Sequence, residues 1–523
     1  MKKILMAVVT MAAVMPASAQ ETYEIANIGT QDLNGTARYV GMGGAMEALG
    51  ADISTMQSNP AGVGLFRKSQ IQGSFGLVSQ GGESSFASAN KTNVSFDQIG
   101  FVYSGRTGKT SYLNVGFNYH KSRNFDQILT VADRLDGASQ SRLTLDKFKA
   151  GVITNSRDLT YSQADVLYHE GLYYSEDGSE SLLIDNQGNF VDNGYPFSGD
   201  SYTFSRGNTG YIGEYDFNIS GNINNRVYLG MTIGIHAVHY HGYSIYDEVL
   251  QGNTYNLNTA TLEDYRDITG TGVDVKLGII FRPVATSPFR IGAYVNSPIF
   301  YSLESSNETS LLLNDQRYGN ENPRYGSLEY EFRTPWKFGL SVGHTIGNYL
   351  ALGATYEFAD YGATDARIKG DSGYDYWGDY YSNSYADNDM NAHIKQTLKG
   401  VSTLKVGAEF KPDKNIAVRL GYNYLSPMYQ QDASRGVDVE SLGNYYSSNT
   451  DYTNWKETHR VTAGIGFTME KFKVDLAYQF QSQKGQFLPF AGDEVDAQNP
   501  NLPFAKNVSN DRHQVLLSLG YTF

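Results

Sequence analysis

The chain contains no cysteine. A disulfide framework is therefore excluded, and so is a lipid-carrying cysteine behind an export signal. Proline is sparse at 13 residues, and tryptophan sparser at 3. Charged residues make up only 18%, with a net charge of −14. That acidic balance argues against nucleic acid as a partner. Beyond the first twenty residues there is no apolar run of the roughly 20 residues that a membrane helix needs. Any further membrane crossing has to be made by strands.

The N-terminus carries an export signal. Lys2 and Lys3 precede an apolar run from Ile4 to Met15, and Ala17-Ser18-Ala19 supplies an A-x-A cleavage site. The mature chain is expected to begin near Gln20, with a net charge of about −16 once Lys2 and Lys3 are gone. Glycine (55) and tyrosine (40) are abundant, while mean hydropathy is −0.40. That combination suits a barrel with a polar interior and aromatic girdles, in which only every second strand residue faces lipid.

Period-two alternation recurs along the chain. In the last segment Val515, Leu517, Leu519, Tyr521 and Phe523 share one face, and Gln514, Ser518, Gly520 and Thr522 the other. Val227, Leu229, Met231, Ile233 and Ile235 alternate with Gly230, Thr232, Gly234 and His236. Val273, Val275, Leu277 and Ile279 enclose Asp274, Lys276 and Gly278. Fourteen such segments run from 69–78 to the C-terminus, an even number. The links alternate too. Short turns such as 222–225, 345–348 and 412–414 face long polar links such as 122–209, 360–396 and 483–510. The expected fold is all-β: a 14-stranded antiparallel transmembrane β-barrel, with both termini in the periplasm and the long links outside the cell. Within 122–209, the residues Phe125, Ile128, Leu129 and Val131 to Leu135 suggest a short amphipathic helix. In 360–396 the tyrosines Tyr374, Tyr376, Tyr380, Tyr381 and Tyr385, with Trp377, suggest a ligand-contact surface.

A barrel of fourteen strands is too wide to fill with its own side chains. Residues 20–66, rich in Gly, Ala, Ser and Asn, are suited to fill it. The expected organisation is a signal peptide over 1–19, an N-terminal hatch over 20–66 and a barrel over 67–523. Thr36 to Ala45, Ala51-Asp52-Ile53-Ser54 and Ser58-Asn59-Pro60-Ala61-Gly62 resemble the hatch of the FadL/TodX family of outer-membrane transporters. Thr334 to Leu340, Arg290 to Tyr294 with Ser297-Pro298, and Arg419 to Tyr422 are similar to later segments of that family. The resemblance implies passive uptake of long-chain fatty acids or aromatic compounds, hatch movement, often a lateral opening, and no cofactor. It makes Asn59, Pro60, Ala61 and Gly62 the gate. The final Phe523 resembles the signal read by the barrel-assembly machinery. The remaining partners expected are a hydrophobic small molecule and outer-membrane lipid or lipopolysaccharide, with the protein a monomer.

Alternation turns Lys276, Arg290, Lys337, Lys405, Arg419, Arg460 and Lys473 toward the lumen, with Asp274, Glu409 and Asp475. They read as a network bracing barrel and plug, and one or two of the cations also suit a ligand carboxylate. Candidate ligand contacts are Phe125, Ile128, Leu129, Lys337, Arg290 and Arg419. His239 and His241 share a strand face opposite to His236, and a metal or haem site there would need a further ligand close in space. Gly41-Met42-Gly43-Gly44-Ala45-Met46 superficially suggests a dinucleotide loop, but no strand precedes it. No nucleophile–base spacing stands out, so the chain reads as a non-enzyme and no catalytic residue is named. A surface protein-shuttle barrel and a haem-binding receptor are the alternative readings.

Overall fold

The computed structural model describes residues 21–149, 162–168, 198–251, 257–317, 322–374, 380–436, 438–447, 450–492 and 500–523. The signal-peptide segment lies outside them, as do Tyr376 and Trp377.

Fourteen strands form one closed antiparallel wall. They are β1 (Gln70–Gln80), β2 (Thr92–Arg106), β3 (Tyr112–Asn124), β4 (Ser198–Ile223), β5 (Val227–Gln251), β6 (Thr259–Phe281) and β7 (Arg290–Asn296). Then follow β8 (Lys337–Ile346), β9 (Leu350–Asp360), β10 (Gly400–Asp413), β11 (Ile416–Leu425), β12 (Tyr452–Met469), β13 (Phe472–Leu488) and β14 (Lys506–Thr522). Each pairs with its sequence neighbours, and β1 closes on β14 from Gln70↔Thr522 to Gln80↔Arg512. Closure leaves no free edge to pair with another chain. Every strand read from the alternation is present. The link from β4 to β5 stays short for a local reason: Asn224 and Asn225 both take left-handed conformations (φ 52° and 54°), and the Arg226 N–H donates to the Ile223 carbonyl at 3.0 Å, which closes a three-residue turn.

The outward face carries an apolar belt. Leu229, Met231, Ile233 and Ile235 on β5 and Val273, Val275, Leu277 and Ile279 on β6 are exposed, while His236, Asp274 and Lys276 are buried on the inner face. Such a belt on a closed barrel is suited to hydrocarbon, because every backbone donor and acceptor is satisfied within the wall. No helix among the described residues is long and apolar enough to cross a membrane.

Among the described residues, several long links continue the strands of the wall. β4, β5 and β6 run for 26, 25 and 23 residues, about 75–85 Å along the strand at roughly 3.3 Å per residue. The helix expected at 125–135 is instead a strand, Gln127–Arg134, paired with Ser201–Asn208 of β4. Leu129 and Val131 point inward at period two, and the free side of β4 above β3 offers the hydrogen bonds. Link 360–396 likewise holds two strands, Asp365–Tyr374 and Tyr380–Ala386, and a helix, Asn388–Thr397. Inside this upper wall Phe204, Tyr246, Leu262, Leu311, Phe487 and Phe490 form an apolar core.

The wall has one notch. Strand β7 stops at Asn296 and resumes as Phe300–Leu313. Beside it Arg324–Arg333 stops before β8, and β9 stops at Asp360 before Asp365–Tyr374 resumes. Pro298 and Pro335 lie in the breaks and have no N–H to give. Hydroxyls patch part of the ladder: Ser297 Oγ accepts from the Val275 N–H at 3.0 Å, and Thr334 Oγ1 from the Ile299 N–H at 2.8 Å.

Residues 21–66 pack against the inner face. They form helices α1 (Thr22–Ile28) and α2 (Ala37–Gly41) and two 3₁₀ turns, Ile53–Gln57 and Pro60–Leu65. Each begins on a side-chain cap, in order Glu21, Thr36, Asp52 and Asn59. Wall glycines make the fit. Gly343, Gly353, Gly407 and Gly421 stand opposite one another across β8–β11. A Cβ on Gly353, Gly407 or Gly421 would overlap the backbone of Ala45, Met42 or Gly43. Gly230 does the same for the Pro60 backbone, and a Cβ on Gly278 would overlap the Asn59 side chain. The small residues on both sides let two backbones approach without side chains between them.

Candidate functional site

A large space inside the wall lies between α1 and the long-link half of β3–β6 and β10–β14. It measures about 1440 Å³ with its open mouth included, and Tyr23, Phe125, Tyr240, Tyr429, Tyr452 and Trp455 line it. The Glu21 carboxylate accepts from the Tyr23 N–H at 2.9 Å and so starts α1. Tyr23 stacks on Tyr429 with centroids 5.0 Å apart, and its hydroxyl donates to Asn454 at 2.8 Å. Phe125 meets Tyr240 edge-on at 5.2 Å. The walls are thus flat apolar faces with polar tips.

The floor of this space is cationic. Asp32, on the linker between α1 and α2, faces three guanidiniums: Arg123 of β3 at 3.2 Å, Arg460 of β12 at 3.6 Å and Arg512 of β14 at 3.8 Å. Its backbone N–H donates to the Ser122 carbonyl at 2.7 Å, and its carboxylate accepts from the Asn124 N–H at 2.9 Å. Burial pushes the Asp32 carboxyl upward, but Arg123, Arg512 and Arg460 together hold it below the ordinary aspartate range. Three guanidiniums thus face the one carboxylate of Asp32, with Asp126 of the same cavity near Arg512. Arg206 pairs with Asp451 at 2.5 Å, and Arg266 pairs with Glu24 of α1.

The residues named from sequence disperse. Phe125 lines the cavity. Ile128 instead exchanges backbone hydrogen bonds with the Gln80 amide at 2.7 and 2.8 Å, and Leu129 belongs to the apolar core of the upper wall. Lys337 borders a smaller cavity beside the notch, with Gln31, Thr334 and Pro335, and donates to Gln31 Oε1 at 2.8 Å. Arg290 donates to the Leu49 carbonyl at 2.9 Å. Arg419 joins Glu409 at 2.7 Å and Asp475 at 2.6 Å, and Arg38 of α2 reaches the same Glu409 at 2.9 Å. Lys405 reaches Glu47 at 3.0 Å. Arg290, Arg419 and Lys405 therefore tie residues 38–49 to the wall.

Asn59 is enclosed between Gly278 and Gly292. Its side chain donates to the Glu47 carbonyl at 3.1 Å and accepts from the Ala61 N–H at 3.2 Å. The Pro60 carbonyl accepts from Ser220 Oγ at 2.9 Å, and the Gly62 carbonyl from the Ala51 N–H at 3.0 Å. His236 is buried, whereas His241 lies exposed beside Asp267.

Sequence reasoning did not single out Tyr23, Asp32, Arg123 or Arg512. Arg512 was within reach, since the inward parity of Gln514 extends to it two residues earlier. Asp32 had no such signal, because irregular backbone has no periodicity.

No protein-family model matches the chain, and no curated protein matches it. Among solved structures it is similar to a Pseudomonas aeruginosa FadL homologue, at 12% identity and a TM-score of 0.51, over 95% of this chain and 100% of that one. The toluene transporters TbuX of Ralstonia pickettii (11%, TM-score 0.45) and TodX of P. putida (13%, TM-score 0.45) each align over 94% of this chain and 99% of theirs. The chain thus shares with the FadL homologue the fold of a closed antiparallel 14-stranded β-barrel.

Proposed function

We propose that this protein is an outer-membrane channel, not an enzyme, that passes hydrophobic small molecules by passive diffusion, with residues 20–66 as its hatch. The observation that carries this reading is the aromatic cavity lined by Arg123, Arg460 and Arg512, the three guanidiniums that hold Asp32 of the inner segment. The short-turn end and both termini belong in the periplasm, and the cavity opens outward. The apolar body of a ligand lies against Tyr23, Phe125, Tyr429 and Trp455. A ligand carboxylate of fatty-acid type competes with Asp32 for the three guanidiniums. Success in that competition frees the linker between α1 and α2 from β3, β12 and β14. The Asn59-Pro60-Ala61-Gly62 turn is the stiff element about which the segment yields. The notch at Ser297-Pro298-Ile299 and Thr334-Pro335-Trp336, bordered by the Lys337 cavity, supplies a sideways exit.

The test is uptake into proteoliposomes of a labelled long-chain fatty acid and of a neutral aromatic of similar size. The expected outcome is uptake of both without an energy source. The double variant Arg460→Gln/Arg512→Gln slows the acid several-fold and leaves the neutral compound unchanged. Equal uptake by protein-free vesicles refutes the channel. Equal slowing of both compounds refutes the role of the arginines.

A further inference from the structure

Below the linker between α1 and α2, four adjacent strands bring six ionisable side chains together. They are His120 (β3), Glu214 and Asp216 (β4), His236 (β5), and Asp274 and Lys276 (β6), all buried. The Lys276 ammonium reaches three carboxylates, at 2.7 Å from Glu214 Oε1, 2.9 Å from Asp274 Oδ1 and 3.1 Å from Asp216 Oδ1. With all three carboxylates ionised, one ammonium leaves two negative charges in a closed site. Buried charge of that size has to be paired or coordinated.

The unused atoms of the same groups converge. Asp216 Oδ2, His120 Nε2 and His236 Nδ1 make no hydrogen bond within the protein. Glu214 Oε2 accepts from the Gln31 amide at 3.5 Å and lies 3.6 Å from His236 Nδ1. His120 Nε2 stands 3.4 Å from Glu214 Oε2, and His120 Nδ1 3.6 Å from Asp216 Oδ2 and 3.3 Å from the Asn118 amide. Two ligands of a tetrahedral ion, each at about 2.0–2.1 Å, stand roughly 3.3–3.4 Å apart. The His120–Glu214 pair already has that spacing. One ligand atom each from His120, Glu214 and Asp216 lie within 4.8 Å of one another. A second triad, Glu214, His236 and Asp274, shares Glu214 and has the same compactness.

We propose that His120, Glu214 and Asp216 hold one divalent transition-metal ion, of the class that prefers imidazole with carboxylate, on the inner wall beneath the linker. Imidazole and carboxylate donors suit zinc among such ions. One ion cancels the excess charge. Two would overshoot it, so the triads that share Glu214 take a single ion between them. Lys276 stays in place, because it uses Oε1 and Oδ1 while the ion uses Oε2 and Oδ2. The ion would staple β3 to β4 and sit next to Gln31 of the inner segment.

The test uses untagged protein in detergent, stripped with a chelator and then equilibrated with zinc sulfate. Zinc is counted by elemental analysis after gel filtration, and affinity is measured by calorimetry. The expected result is one zinc per chain at pH 7. His120→Ala weakens it at least 10-fold and Glu214→Gln abolishes it, while His241→Ala, on the exposed face, changes nothing. Retained heat-modifiable migration on gels shows that each variant still forms a barrel. Less than one zinc in ten chains overturns the proposal, and so does full zinc binding by Glu214→Gln. Histidine proton NMR showing both imidazoles charged at pH 7 in the absence of zinc also overturns it, because protons then balance the charge.

Discussion

Strand β6 holds two opposite arrangements on one unbroken parity. In its lower half the outward side chains are Val275, Leu277 and Ile279, and the inward ones are Asp274 and Lys276. In its upper half the outward residues are Glu263, Tyr265 and Asp267, and the inward ones are Ala260, Leu262 and Ile268 together with the charged Asp264 and Arg266. No register slip separates the halves, since β5 pairs with β6 without a break from Val227↔Phe281 to Val249↔Thr259. What changes is the kind of side chain that each face carries. The lower half carries apolar groups outward and polar groups inward, while the upper half turns polar groups outward and puts apolar residues inward beside the buried Asp264 and Arg266. The same chain geometry thus serves two environments.

Substitutions along this strand test that comparison. Lys276→Met has the largest expected effect, because it strands Glu214, Asp216 and Asp274 without their shared cation. A loss of about 3–5 kcal/mol is expected, read from urea unfolding of protein folded in lipid vesicles. Leu262→Ala opens the apolar core of the upper wall and costs about 2–5 kcal/mol. Its signature is local: protease sensitivity of the upper wall rises while the lower barrel keeps its heat-modifiable migration. If both halves melt together, the two regions are one cooperative unit. Leu277→Arg puts a charge on the apolar belt and costs about 2–4 kcal/mol if the site lies near the bilayer midplane.

Smaller effects sharpen the picture. Gly407→Ala pushes a Cβ into the Met42 carbonyl, with a cost of about 1–3 kcal/mol from overpacking. Hydrogen exchange at residues 42–46 should quicken more than exchange in β10. Tyr265→Arg, on the same face as Leu277, should change stability by no more than about 0.5 kcal/mol, as surface changes do. A cost equal to that of Leu277→Arg would place the upper half in lipid as well.

The lower half of the wall was legible because lipid-type exposure leaves a strict signature. Apolar residues at period two, with small or charged residues between them, suit a wall that divides hydrocarbon from a polar lumen, and this located all fourteen strands. The upper half was not legible, because both of its faces carry mixed residues. Ile128, Leu129 and Val131 therefore read as one face of a helix, when the unpaired side of β4 had already offered them a ladder. The candidate site divided in the same way. Lys276 and Arg460 followed from parity, while Asp32 and Tyr23 sit on backbone without periodicity. The notch at Pro298 and Pro335 could be seen only as paired breaks in neighbouring strands, which the linear order separates by 37 residues.

From the sequence alone came the barrel, its strand count, its parity and the side of the wall that each charge faces. Those follow from local rules: side chains alternate along a strand, and the surrounding medium selects which face is apolar. Tertiary structure decided the rest. It set Asp32 among Arg123, Arg460 and Arg512, the first of which lies more than three hundred residues before the other two. It aligned the glycines of β8–β11 against the backbone of residues 42–46, and it gathered His120, Glu214, Asp216 and Lys276 in one place. Those meetings depend on register and closure around the whole wall, which no local pattern encodes.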